Sequence, residues 1–184
     1  VVVVGVDEGL FSSDFRAGEK LAQQLIQVAG RAGRAQKPGE VRLQTHHPDH
    51  PLLNTLINGG YHAFAESELE QRKAAEFPPF AHLALLRAEA KHVDAANAFL
   101  QQAKKAFLHS AETSLEPGNA VEIHGPLPAP MQKRAGMHRM QLLLSAPNRR
   151  TLHARLDAAL PLIHALPEAR KVRWSLDVDP MDLY

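Results

Sequence analysis

The chain has 184 residues, 45% hydrophobic and 22% charged, a balance that supports a buried core and argues against disorder. It has no cysteine, which excludes disulfides and thiolate metal sites and suits a reducing, cytoplasmic setting. A net charge of +1 excludes a uniformly basic nucleic-acid binder, and no apolar run reaches the roughly 20 residues of a membrane helix.

The chain opens on Val1 inside the apolar run "VVVVGVD", which reads as a central parallel strand buried on both faces. This start is expected of a piece cut from a longer polypeptide, and it lacks the charged flank of a signal peptide. From about Phe15 to Arg34 the spacing turns helical. Leu21, Leu25, Val28, Ala29 and Ala32 share one face, and Lys20, Gln23, Gln27, Arg31 and Arg34 line the opposite one. Gly30 and Gly33 each weaken a helix by roughly 1 kcal/mol relative to Ala, so they suggest a close neighbour or a helix end. "VRLQT" (41–45) alternates as a second strand, giving a βαβ unit with a parallel sheet. Residues 51–75 read as helical, with Leu52, Leu53, Leu56, Tyr61, Phe64 and Leu69 apolar. "EFPPF" (76–80) ends that segment, because residues before proline avoid helical geometry.

The remainder predicts β, α, β, β, α, β. "FAHLALLRAEA" is a strand, and Asp94 is placed to cap a helix with Ala96, Leu100, Ala103 and Phe107 inward. "AVEIHG" and "MHRMQLLLSA" are strands, and "PNRRTLHARLDAALPLIHAL" is a helix with Leu152, Leu156, Ala159, Leu160 and Ile163 inward. "KVRWSLDVDP" is the last strand, alternating Val172, Trp174, Leu176 and Val178 with polar residues. The order is that of the ferredoxin-like α+β arrangement. The expected organisation is 1–50, a helical linker at 51–79, and a terminal domain at 80–184.

Charge is unevenly placed. Residues 131–174 hold nine Lys/Arg against two acids, a local +7, and the rest of the chain carries −6. "KRAG" (133–136) reads as an exposed cationic hairpin tip with Arg139 following it, a candidate phosphate contact. "HHPDH" (46–50) is a proline-interrupted loop without the i, i+4 spacing of helical zinc ligands, so no metal site is expected there. Phe11 and Phe15 read as packing residues, with base stacking the alternative.

"QVAGRAGR" (27–34) sets Gln27, Arg31 and Arg34 on one stripe. A guanidinium is permanently charged and forks its donors, which suits a phosphoryl group whose charge spreads over equatorial oxygens. A surface helix with ordinary salt bridges is the plain alternative. The run fits Q-x-x-G-R-x-G-R, and with "VDEGLFSSDFRAGEK", "GEVRLQTHHPDHPLL", "ELEQRKAAEFPPF", "GPLPAP", "MHRMQLLLSAP" and "RKVRWSLDVDP" the chain resembles the primosomal replication-restart DNA helicases of superfamily 2 along essentially its whole length.

The resemblance implies the end of a second RecA-like lobe followed by a ferredoxin-like domain. It implies an ATP-dependent helicase moving 3′ to 5′ on single-stranded DNA and rebuilding the primosome at stalled or branched forks. By it, Arg34 is the arginine finger, Arg31 its neighbour at the same phosphate, and Gln27 the nucleotide sensor. Asp7 falls in the preceding motif, which couples the nucleotide cleft to DNA. Asp14, Phe15, Arg16 and Glu19 match a family signature whose role is either loop fixing or DNA contact, and Lys20 stands where an arginine is common. Lys133, Arg134 and Arg139 are implied DNA contacts. Arg149 and His153 are implied to receive the acidic tail of single-stranded DNA-binding protein, alongside contacts with other primosome proteins. The chain carries no G-x-x-x-x-G-K-[ST] loop and no acidic magnesium motif, so it is expected to be inactive alone, its ATP–Mg site completed by another lobe. The zinc module of the family is expected elsewhere. The alternative function is a non-enzymatic module that binds nucleic acid or an acidic peptide.

Overall fold

The computed structural model describes residues 1–12, 14–32, 39–110 and 120–183, and the chain divides into two compact units, one spanning Val1–Ala75 and one starting at Glu76. It is a mixed α/β protein with a parallel two-stranded sheet in the first unit and an antiparallel four-stranded sheet in the second.

In the first unit, β1 (Val2–Val3) pairs in parallel with β2 (Arg42–Leu43). Between them lie α1 (Val6–Leu10) and α2 (Ala17–Ala32), and α3 (Pro51–Ala74) follows. Val6, Leu21, Ala22, Leu25, Leu53, Leu56 and Phe64 form one buried cluster, so α3 shares the core of α1 and α2. The opening run does form a parallel strand, as its composition suggests, but a shorter and more exposed one. Only two residues pair, Val1, Val2 and Val4 are more than half exposed, and Gly5, at φ 73°, turns the chain into a helix. Of that run, only Val6 reaches the core. The "VRLQT" strand is likewise shorter than its alternation predicts, two residues only. A ladder of two residues, with no further strand beside it among the described residues, leaves β-branched side chains in water.

His50 caps α3, its ring accepting from the Leu52 N–H at 3.2 Å, and Pro51 takes the first helical position, where no N–H is needed. The helix kinks at Gly60, which sits at φ 72°. Tyr61 and Leu69, expected on the apolar face, stay partly exposed beyond the kink.

The second unit runs β3 (His82–Ala90), α4 (Val93–His109), β4 (Glu122–Arg134), β5 (Met137–Ala146), α5 (Arg149–Ala165), a 3-10 turn (Pro167–Arg170) and β6 (Arg173–Val178). The strand order is β4-β5-β3-β6, with every pair antiparallel. Ala84, Leu86 and Ala88 of β3 and Met140, Leu142 and Leu144 of β5 face the helices. There they meet Phe99, Leu100 and Phe107 from α4 and Leu152, Leu156 and Ile163 from α5, while Trp174 of β6 packs against Phe99 at 5.6 Å.

Three local expectations change. Asp94 is not the cap of α4: His92 holds that position without a side-chain bond, and Asp94 contributes its charge in the first turn. Leu160 is only half-buried, on the shoulder of the inward stripe of α5. The strand read over "AVEIHG" continues through three prolines to Arg134, with register shifts between His124 and Leu127 and between Pro128 and Lys133. As an edge strand, β4 loses no outer ladder bond to proline, which also deters pairing with a second chain.

Candidate functional site

α2 presents its polar stripe in two halves. In the first, Lys20 Nζ reaches the buried carboxylate of Asp14 at 2.8 Å and Gln23 donates to Glu19 at 3.2 Å. In the second, Gln27 and Arg31 are exposed one turn apart, and Arg31 makes no ion pair with another described residue. A Cβ on Gly30 would meet nothing within 4 Å, so nothing in the described residues requires a glycine there. Arg34 and Gly33 lie outside the described residues.

The signature ahead of α2 makes internal contacts. Asp14 Oδ1 accepts from the Arg16 N–H at 3.1 Å, fixing the first turn. Glu19 binds Arg72 of α3 at 3.0 Å, Arg72 also binds Glu68 at 3.0 Å, and its guanidinium lies 5.4 Å from the Phe15 ring centre. A half-buried, bidentate arginine of this kind ties two helices together more firmly than an exposed pair. Sequence reading offered no signal for Arg72, because its partner lies 53 residues away.

Asp7 joins the ends of the two parallel strands. Its carboxylate accepts from the Thr45 hydroxyl, from the His46 backbone N–H at 3.1 Å, and from His46 Nδ1 at 2.7 Å. The Thr45 hydroxyl, followed by the His46 ring and backbone, holds its pKa at about 2, below the usual 3.8. A carboxylate so occupied positions the Thr45 and His46 side chains. Because the folded pKa lies below the unfolded one, this node stabilises the fold above about pH 4 and stops doing so as pH falls toward 2. Asp7→Asn is therefore expected to lower the urea midpoint of the first unit near neutrality, the deficit shrinking to nothing near pH 2. A deficit that stays constant with pH would reject the assignment.

The basic region of the second unit separates into two places. Ala135 (φ 49°) and Gly136 (φ 78°) form a two-residue turn, so Lys133 and Arg134 stand exposed at a hairpin tip. Register puts this tip beside Ala90, at the end of the sheet where β6 begins with Arg173. Arg170, Lys171 and Arg173 are exposed there too. Arg139 is committed to Glu89 across the strands at 3.0 Å and is largely covered. Arg155, unremarked in the sequence, is buried inside α5, where it donates to the Phe107 carbonyl at 2.8 Å and closes the end of α4; burial lowers its pKa.

Arg149 and His153 are exposed one turn apart at the start of α5, whose cap is Asn148. Arg149 pairs with Asp179 at 2.9 Å. Both belong to the other end of the sheet, where Ala146 pairs with His82. Since β5 spans ten residues, the hairpin tip and this helix start are separated by roughly 30 Å. Among the described residues, no group of three His, Asp or Glu side chains is arranged to hold a metal ion.

Comparison with known proteins places this geometry. Over 183 residues the chain is 50% identical to the replication restart protein PriA of Haemophilus influenzae, an alignment covering 100% of this chain and 24% of that protein. The PriA of Synechocystis is 34% identical over 184 residues, covering 100% of this chain and 21% of the relative. That of Bacillus subtilis is 32% identical over 180 residues, covering 98% and 22%. The chain thus spans less than a quarter of the length of these relatives. The model of the primosomal protein N C-terminal domain matches residues 73–181. That stretch holds the whole antiparallel sheet and both helices packed on it, and the chain accordingly belongs to the primosomal protein N C-terminal domain family.

Proposed function

We propose that this chain is the carboxy-terminal part of an ATP-dependent, 3′ to 5′ DNA helicase that restarts replication at stalled or branched forks. Its first unit is the end of a RecA-like lobe and its second a ferredoxin-like domain. Gln27, Arg31 and Arg34 supply one half of a composite ATP–Mg site, and a phosphate loop on another lobe supplies the other. The observation that carries this reading is the division of the α2 stripe. Internal carboxylates and amides occupy its first half, whereas Gln27 and Arg31 remain exposed, with no carboxylate among the described residues neutralising Arg31. An arginine held for structure alone would be paired as Arg72 is.

The hairpin tip is the DNA contact of the second unit, where Lys133 and Arg134 join Arg170, Lys171 and Arg173 at one end of the sheet. Arg139, held by Glu89, supports the strand beneath. At the opposite end, Arg149 and His153 receive the acidic tail of a single-stranded DNA-binding protein, a tail carboxylate replacing Asp179 in an exposed ion pair that contributes little by itself.

A salt titration of single-stranded DNA binding by this chain tests the hairpin. Lys133→Ala with Arg134→Ala is expected to flatten the plot of log affinity against log salt by roughly one to two units, since each lost phosphate contact removes about 0.7 to 1. Arg149→Ala is expected to leave the slope unchanged. An unchanged slope in the hairpin variant would reject the tip as a phosphate contact.

A further inference from the structure

One cleft of the first unit is used by neither the arginine stripe nor the α2–α3 tie. It has a volume of about 420 Å³ and is lined by Phe11, His46, His47, Pro48, Asp49 and His50. Phe11 stands 59% exposed, although an aromatic ring of this size gains most when covered. Two imidazoles pack on it in T-shaped contacts: His47 at 4.6 Å with planes at 66°, and His50 at 5.5 Å with planes at 90°. The ring is thus held by two neighbours while more than half of the residue stays exposed.

The hydrogen bonds on the far sides of two of these histidines set their tautomers. His46 Nδ1 lies 2.7 Å from the Asp7 carboxylate, so Nδ1 carries a proton and Nε2 is the ring nitrogen left for a ligand. His50 Nδ1 accepts the Leu52 N–H, so its proton sits on Nε2, which is a donor. The cleft therefore combines an exposed aromatic ring with two imidazole Nε2 atoms, that of His50 a donor. No lysine or arginine lines it, and Asp49 does, so no permanent cation is there to hold a phosphate. The ligand this chemistry fits is a neutral, planar ring with a polar edge.

We infer that this cleft takes one unpaired nucleobase of a single strand, stacked on Phe11 and read at its edge by His46 and His50, with Asp7 as the positioning residue behind His46. The inference rests on the proposed DNA-tracking function and deepens it. A base from a free nucleotide has the same chemistry, but the topology favours a strand. The cleft residues follow β1 and β2, at the carboxyl ends where open parallel sheets bind ligands, whereas Arg31 lies in the last turn of α2, on the way back toward the start of β2. An intervening α2 of 16 residues is roughly 24 Å long, more than one nucleotide spans.

Photocrosslinking of the whole chain, with peptide mapping, tests this. One arm uses a short single-stranded oligonucleotide carrying 5-iodouracil, the other 8-azido-ATP. The oligonucleotide is expected to label the peptide holding Phe11 or that holding residues 46–50. The yield should fall about tenfold in Phe11→Leu, the loss of one stacked base. It should fall as well in His50→Asn, which keeps a helix-capping oxygen but removes the ring donor. Circular dichroism of both variants should match the parent, as Phe11 is exposed. Labelling confined to the Lys133–Arg134 hairpin would overturn the base cleft and leave the DNA-binding reading standing. Absence of any oligonucleotide crosslink would overturn both, and labelling of the cleft by 8-azido-ATP alone would assign the base to a free nucleotide and reject the strand.

Discussion

Arg34→Ala, built into a polypeptide that also carries the phosphate loop, is expected to slow DNA-stimulated ATP turnover on the order of 10³ to 10⁵-fold, with DNA affinity unchanged. Charge on the equatorial oxygens of the transferred phosphoryl group grows only as the bond to the leaving group breaks. A donor preset at that place therefore lowers kcat far more than it alters ground-state binding. Arg31→Ala is expected to act in the same direction, its side chain being exposed in the last turn of α2. Lysine is not expected to rescue either position, because a single ammonium cannot present the planar fork. Steady-state kinetics at saturating DNA, together with an anisotropy measurement of DNA affinity, checks this. Weaker DNA binding with turnover per bound complex preserved would mean that the arginines hold backbone phosphates, and the non-enzymatic reading would replace the motor.

Phe107→Ala should destabilise the second unit by about 3 to 5 kcal/mol, a downward shift of its melting midpoint on the order of 15 °C. Phe107 is fully buried between α4 and the sheet, and its own carbonyl is the acceptor for the buried Arg155. Truncation leaves a cavity next to a guanidinium that already suffers from desolvation, so the surroundings cannot collapse without disturbing that bond. The readout is built in: Trp174 is the single tryptophan of the chain and packs on the same core, so its fluorescence follows this unit. Leu108→Ala, one residue along and half exposed, provides the contrast, with an expected change under about 0.5 kcal/mol. Equal effects at the two positions would show that the core is not packed as described.

The second unit was largely legible in the sequence because each element carries a full period of its pattern. Strand β5 and the inward stripe of α4 occupy the residues that alternation and helical spacing assign to them. The opening valines announced the parallel pairing but not how short and exposed it is. An apolar β-branched run signals a buried strand only where neighbours cover it, and here a two-residue ladder does not. The length of β4 was hidden by its prolines, which read as a break until the strand is known to be at an edge.

For the candidate site, the stripe of Gln27 and Arg31 could be drawn from helical spacing alone. The other groups could not be ranked that way. Arg139 looked as available as Arg134 until register set Glu89 opposite it. Asp7 gave no hint of Thr45 and His46, which lie 38 and 39 residues downstream and meet it only because the parallel strands bring their ends together. A count of basic residues measures charge, not which charges are already neutralised.

The roughly 30 Å between the hairpin tip and the start of α5 has a consequence for assembly. Two ligands shorter than that span, one arriving at each end of the sheet, would not collide, so filling one end would leave the other accessible. A chain long enough to reach both ends gains instead from tethering, its second grip made at an effective concentration set by the span.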